Sequence, residues 1–244
     1  MSYWQHKKYL EESWDYFLNE INADIFFFQE AKRPKRIEND KNFLWHNTGE
    51  SNGRKEWGSG IYCTRYKLSE EPEESILDWN RDRFKEFCVI ANAKITEDIS
   101  LTLISLYGRM DKIGNKRVKD ASSNLHKIFS DLTGILNRHY GKRNIILGGD
   151  FNISIQFDKK WGGDSGKILL NRLKDYNLEN CYELNGNEDF VQTLRFPKSG
   201  TKWQNDYFFI SKSISRKFTN CEVVDNNLVR KYSDHNPVVI TLDL

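Results

Sequence analysis

Charge of one sign is what this sequence most plainly lacks. Its 37 Lys and Arg stand against 35 Asp and Glu, a net charge of only +2. That excludes the broad positive field of a histone-like binder and confines any polyanion site to a local patch. Cysteine is also scarce. Cys63, Cys88, Cys181 and Cys221 lie far apart, form no CxxC pair and sit among apolar or strand-like neighbours. Buried free thiols are therefore expected rather than disulfides or zinc ligands, and with them a reducing, cytoplasmic setting. The stretch Met1 to Leu10 carries Trp4, Gln5, His6 and lysines in place of the apolar core of a signal peptide, and no run reaches the length of a membrane span. Repeats, low-complexity tracts and linkers are absent too. The 244 residues, 38% apolar and 14% aromatic, are read as one globular domain spanning residues 1–244.

Apolar spacing sets the expected elements. Trp4, Leu10, Trp14, Phe17, Leu18 and Ile21 recur at helical intervals between Tyr3 and Ile21. The run Asp24 to Glu30, with no polar alternation, implies a strand covered on both faces. Lys32 to Gly58 reads as polar loop, Gly58 to Cys63 as a strand, and Phe87 to Ile95 and Ser100 to Tyr107 as strands joined at Glu97–Asp98. Val118 to Leu136 holds helical spacing over about five turns. A Gly-rich loop from Trp161 to Gly166 precedes a helix through Leu169, Leu170 and Leu173. The remaining expected strands are Gln192–Phe196, Asp206–Ser211, Cys221–Val224 and Val238–Leu244. Together these predict a β-rich α/β domain with helices outside two layers of sheet.

The chemistry-bearing stretch is Asn144 to Asn152, an apolar run followed by Gly148-Gly149-Asp150-Phe151-Asn152. On an extended chain Asp150 and Asn152 fall on one side, and the glycines let backbone approach closely beside them. By itself this is also what a turn after a strand looks like. Glu30, Tyr107, Asp206 and the pair Asp234-His235 likewise flank apolar runs, so all of them are candidates for one rim of the sheets. Crowded carboxylates repel, and a hard divalent cation or raised pKa values relieve the repulsion. Mg²⁺ takes one or two carboxylates together with waters and phosphate oxygens, which suits Glu30 as a ligand. Singly, Glu30 also fits a solvated strand end, Tyr107 a packed core residue and His235 a loop histidine.

In this order the motifs resemble those of the endonuclease/exonuclease/phosphatase superfamily. Phe28-Gln29-Glu30 is similar to its metal-ligand motif, and Tyr107 stands in the place of its active-site tyrosine. Leu147 to Asn152 resembles its Gly-Asp-x-Asn, Asn205 to Ser211 its Asp-Tyr strand, and Ser233-Asp234-His235-Asn236-Pro237 its Ser-Asp-His-x-Pro. The resemblance implies a four-layer α/β sandwich of two packed mixed sheets flanked by helices, and Mg²⁺- or Mn²⁺-dependent phosphodiester hydrolysis. It implies catalytic roles for Tyr107, Asp150, Asn152, Asp206 and His235, and metal binding by Glu30 and Asp234. Members of this family usually begin with a strand carrying a Trp-Asn pair. Here the chain opens in the helix that should follow it, so the first strand is expected to be missing or to lie upstream of Met1.

For the substrate, Trp161 beside Lys159 and Lys160, and Trp203 beside Lys198 and Lys202, set aromatics among cations, as base stacking and phosphate pairing require. Loop packing is the other role open to these tryptophans. With Arg109, the residues Trp161, Trp203 and Lys202 are the expected substrate contacts, and nucleic acid, DNA before RNA, is the expected partner. A small-molecule or lipid-headgroup phosphatase and a catalytically weak nucleic-acid-binding module are the alternatives. No membrane association is expected.

Overall fold

The computed structural model describes residues 8–47, 57–70, 87–110, 112–113, 116–117, 121–138, 143–187, 190–196 and 200–244. Tyr3, Trp4, Val118 and Lys198 lie outside these. Helix α1 (Leu10–Asn19) buries Trp14, Tyr16 and Phe17 and leads into strand β1 (Ile25–Ala31). The expected loop after β1 contains a strand, β2 (Phe43–Asn47), which pairs with β3 (Gly58–Cys63). Surrounding charges hide β2 in the sequence, because an edge strand needs only Phe43 buried. Strand β4 (Leu68–Glu70) follows, then β5 (Cys88–Lys94) and β6 (Ser100–Tyr107), which form the expected hairpin, and a short ribbon of β7 (Lys112–Ile113) and β8 (Lys116–Arg117).

The long expected helix divides at Leu132 into α2 (Ser122–Asp131) and α3 (Thr133–Arg138). Thr133 Oγ1 bonds back to the Phe129 carbonyl there, competing with the backbone ladder, and Gly134 weakens the next turn. Beyond β9 (Asn144–Asp150), a helix α4 (Ile155–Trp161) that the apolar spacing did not reveal is capped by Ser154, whose Oγ accepts from Phe157 N at 3.2 Å. Helix α5 (Ser165–Asp175), strand β10 (Leu178–Asn180), the single turn α6 (Cys181–Leu184) and strand β11 (Asp206–Ser211) come next. Gln192–Phe196 is not a strand. It contributes only bridges at Leu194, to Trp203 and to His235. Strand β12 (Phe218–Val223), helix α7 (Asn227–Tyr232) and strand β13 (Val238–Leu242) complete the order.

Six strands form the main sheet in the order β10-β11-β9-β6-β5-β4, with β6 and β9 parallel and the other pairs antiparallel. Its β6 and β9 are buried almost throughout, between α2, α3 and α5 on one face and the second layer on the other. The second layer holds β1-β3-β2 and, separately, β12-β13. On β1, Phe28 packs against Trp14 of α1 with ring centroids 4.2 Å apart, while Phe27 packs against Phe208 of β11 at 5.4 Å. The run without polar alternation is thus buried at Phe26 and Phe28, while Ile25 and Phe27 on the other face are covered only in part. All four cysteines are buried and unbridged, and among the described residues no helix is long and apolar enough to cross a membrane.

Gly149 fixes how closely β6, β9 and β1 approach. Its φ is +138°, and a Cβ there would stand 2.1 Å from the Leu106 carbonyl oxygen and 2.9 Å from Gln29 Nε2. Strain and overpacking together should cost Gly149→Ala about 3 kcal/mol. Gly162→Ala, also at positive φ but with open space around it, should cost about 1 kcal/mol. Urea unfolding of both variants measures the difference, and equal losses would refute the close-approach account.

Candidate active site

Three neighbouring strands of the main sheet deliver their end residues side by side. In the pairing register Tyr107 of β6 lies opposite Asp150 of β9, and Asp206 of β11 lies opposite Asp150 from the other edge. The second layer adds Glu30. Register slips between Phe28 and Ala31, a bulge that turns Glu30 out of the ladder and places it at φ +49°. Glutamate seldom adopts that backbone conformation, and such residues concentrate at functional sites. The Tyr107 hydroxyl donates to Glu30 Oε1 at 2.5 Å, tying the two layers together.

Asp150 is only 5% exposed. Its Oδ1 accepts from Asn152 N and its Oδ2 from Asn152 Nδ2, both at 2.9 Å. Asn152 is itself at φ +49°, which folds its side chain back toward Asp150. The Asp206 carboxylate meets His235 Nδ1 at 2.8 Å, and the opposite ring nitrogen, Nε2, lies 4.0 Å from Asp150 Oδ2. Possible ligand atoms of Asp150, Asp206 and His235 all fall within 4.8 Å of one another.

Electrostatics follow from this crowding. Burial pushes the Asp150 carboxyl up to about 8; His235 pulls it down, while the charges of Asp206 and Glu30 add to the rise. For His235, burial favours the neutral ring, but the carboxylates of Asp206 and Asp150 outweigh it and raise the imidazole to about 10. Burial also lifts the Tyr107 phenol, helped by the negative charge of Glu30 and Asp150, so it remains a hydrogen-bond donor. The cluster is therefore short of positive charge, and its donors are carboxylate oxygens. Asp234 adds a buried Oδ1 that has no hydrogen-bond partner among the described residues. A hard divalent cation suits this donor set.

Several residues gain a supporting role only in the fold. Gln29, buried next to Glu30, donates from Nε2 to Ser105 Oγ at 2.8 Å. Thr193 Oγ1 accepts from the backbone N–H groups of both Asn205 and Asp206 and so pins the start of β11. Asn205 reaches Asn152 Oδ1 through Nδ2 at 3.4 Å, and Ser233 Oγ caps His235 N at 3.0 Å. Asn205 and Ser233 stand first in the motifs read from the sequence, but their contacts follow only from the fold. Thr193 carries no local signal.

The expected substrate residues divide. Leu194 bridges both Trp203 and His235, which ties the Trp203 loop to the acid–histidine cluster. Trp203 is 4% exposed and wedged against Phe157 and Trp161, so it packs the loop. Trp161, 39% exposed, stacks on Trp203 with ring centroids 6.0 Å apart, and Lys160 Nζ lies 5.0 Å over the Trp203 ring. Lys202 contributes its carbonyl to Gln156 Nε2, and exposed Arg109 lies over the Phe87 ring beside Tyr107.

Neither a family model nor any curated protein sequence matches the chain. Solved structures do. The endonuclease domain of TRAS1, a telomere-specific non-LTR retrotransposon, is 20% identical, with a TM-score of 0.63 over 96% of this chain and 92% of that one. An AP endonuclease from Archaeoglobus fulgidus is 16% identical, with a TM-score of 0.65 over 93% and 92%. A 3'-5' exonuclease from Neisseria meningitidis is 15% identical, with a TM-score of 0.67 over 100% and 96%. At these identities the likeness is one of architecture, and the architecture of this chain is the four-layer α/β fold of the endonuclease/exonuclease/phosphatase superfamily.

Proposed function

We propose that the protein is a divalent-metal-dependent phosphodiesterase, a nuclease acting on DNA. The observation that carries this reading is the meeting of Asp150, the Asp206–His235 pair and the Glu30–Tyr107 pair at one rim of the two layers. That structural neighbours are described as endonucleases and an exonuclease supports nucleic acid as the substrate. Trp161 and Lys160, in the last turn of α4, supply an exposed ring and a cation for a base and a phosphate. The four buried thiols are in keeping with a reducing, cytoplasmic setting.

The residues divide the work as follows. Asp150, held by Asn152, orients and deprotonates the attacking water. Asp206 fixes the His235 imidazole through Nδ1 and favours its protonated form, leaving Nε2 to donate to the scissile phosphate as negative charge develops. Glu30, positioned by the Tyr107 hydroxyl, would hold the cation with Asp234 as a further ligand. Mg²⁺ or Mn²⁺ there supplies charge neutralisation to the phosphoryl oxygens.

Glu30→Gln preserves the acceptor for the Tyr107 hydroxyl but removes the ligand charge. It should therefore reduce Mg²⁺-supported plasmid cleavage at least about a hundredfold while leaving the circular dichroism spectrum unchanged. A near-normal rate would remove Glu30 from the site. EDTA in excess over the divalent cation should abolish cleavage by the unmodified protein. Release of inorganic phosphate without DNA cleavage would replace the nuclease reading with a phosphatase, and metal-independent DNA binding without turnover would indicate a binding module.

Asp206→Ala and His235→Ala should each slow single-turnover cleavage about a thousandfold, and the double variant little more than the worse single, because the two act as one unit. Fully additive losses across the four rates would show that the 2.8 Å contact is not a catalytic pair.

A further inference from the structure

His235 lies between the end of α7 and the start of β13, outside every named strand, so ladder pairing does not set the direction of its imidazole. The segment from Gln192 to Arg195 faces it instead. Asn236 N donates to Thr193 O at 2.7 Å, Asn236 Nδ2 to Gln192 O at 2.9 Å, and Arg195 N to Asp234 O at 2.8 Å. The same segment reaches β11, because Thr193 Oγ1 accepts from Asp206 N. It therefore joins the backbones of both partners in the 2.8 Å contact between Asp206 and His235.

The side chain of Arg195 completes this clasp. Its Nη2 donates to the Ser233 carbonyl and lies 3.5 Å from the His235 carbonyl. With its backbone N–H on Asp234 O, this one residue holds the successive carbonyls of Ser233, Asp234 and His235. The carbonyls of Asp234 and His235 belong to the rigid peptide units on either side of the His235 Cα, so holding both fixes φ and ψ there. Those angles set the direction of Cβ and the rotamers open to the ring.

The guanidinium is committed to protein oxygens. The Arg195 side chain is 18% exposed, and its Nη1 is shut off from solvent 3.8 Å from Asp225 Oδ1. Asp225 is gripped in turn by Arg230 of α7, through Nε at 2.8 Å and Nη2 at 3.0 Å. A planar fork of donors can serve two carbonyls and a carboxylate at once, which the point charge of an ammonium does less well.

We propose that Arg195 is a positioning residue for His235, holding the backbone on both sides of the histidine so that Nδ1 stays on Asp206 and Nε2 faces the scissile phosphate. Arg195 itself does not touch substrate. As a statement about rate this rests on the phosphodiesterase reading, whereas the hold on the ring is measurable without turnover.

The test compares the 244-residue protein with Arg195→Met, which keeps an unbranched stem without donors, and Arg195→Lys, which keeps a charge and donors. At saturating DNA, Arg195→Met should slow single-turnover plasmid cleavage about a hundredfold and Arg195→Lys about tenfold, with the half-saturating DNA concentration changed less than about twofold. Placed on His235→Ala, neither substitution should slow cleavage further, since no ring is left to aim. Arg195→Lys carries this comparison alone should Arg195→Met not fold. The proton on His235 Nδ1, hydrogen-bonded to a carboxylate, should give a downfield NMR resonance that Arg195→Met loses and Arg195→Lys retains. A raised half-saturating concentration at unchanged rate would make Arg195 a substrate contact and overturn the proposal. Equal losses on the His235→Ala background, or a resonance unchanged in folded Arg195→Met, would overturn it too. Loss of the resonance in a protein that cleaves no phosphodiester would overturn the phosphodiesterase reading and uphold Arg195 as the hold on the ring.

Discussion

The carboxyl group of Asp150, almost wholly out of water yet surrounded by other acids, is the constraint on which the rest of this structure turns. Removing a carboxylate from water is costly unless its charge is compensated. Compensation comes from the Asn152 N–H groups and from the His235 imidazolium, and that requires Asn152 at φ +49° and a loop that brings His235 back from beyond α7. Those requirements explain much of the local architecture. Gly149 lets β9 approach β6, Thr193 anchors the start of β11, and the bridges at Leu194 join the His235 segment to the tryptophan loop.

The two layers are coupled chemically as well as sterically. Phe27 against Phe208 holds them together in the core. Above it, Gln29 reaches Ser105, and Glu30 receives the Tyr107 hydroxyl at the rim. Glu30 comes from one layer and Asp150 from the other, so relative displacement of the layers would pull the two carboxyl groups apart.

The tryptophans show how a short-range pattern is resolved by depth. Trp161 and Trp203 both sit beside lysines in the chain and look equivalent. In the fold Trp203 is the buried support and Trp161 the exposed ring, because Trp203 is bridged to Leu194 whereas Trp161 ends α4 at the surface. Cation-π contacts from Lys160 to both rings keep the positive charge at that edge.

The sequence by itself determined the main strands and the strand-end placement of Glu30, Tyr107, Asp150 and Asp206, since each rests on residues adjacent along the chain and on the period of two. It did not reveal β2, α4 or the division of the long helix at Leu132, where burial of one side, a cap or a threonine back-bond outweighs periodicity. Only tertiary structure decided that Thr193 pins Asp206, that a bulge aims Glu30, and that Tyr107, Asp150 and Asp206 stand in one row. Register across strands and contacts between residues 29 to 77 positions apart are set by how the layers pack, and no local pattern of residue types encodes that.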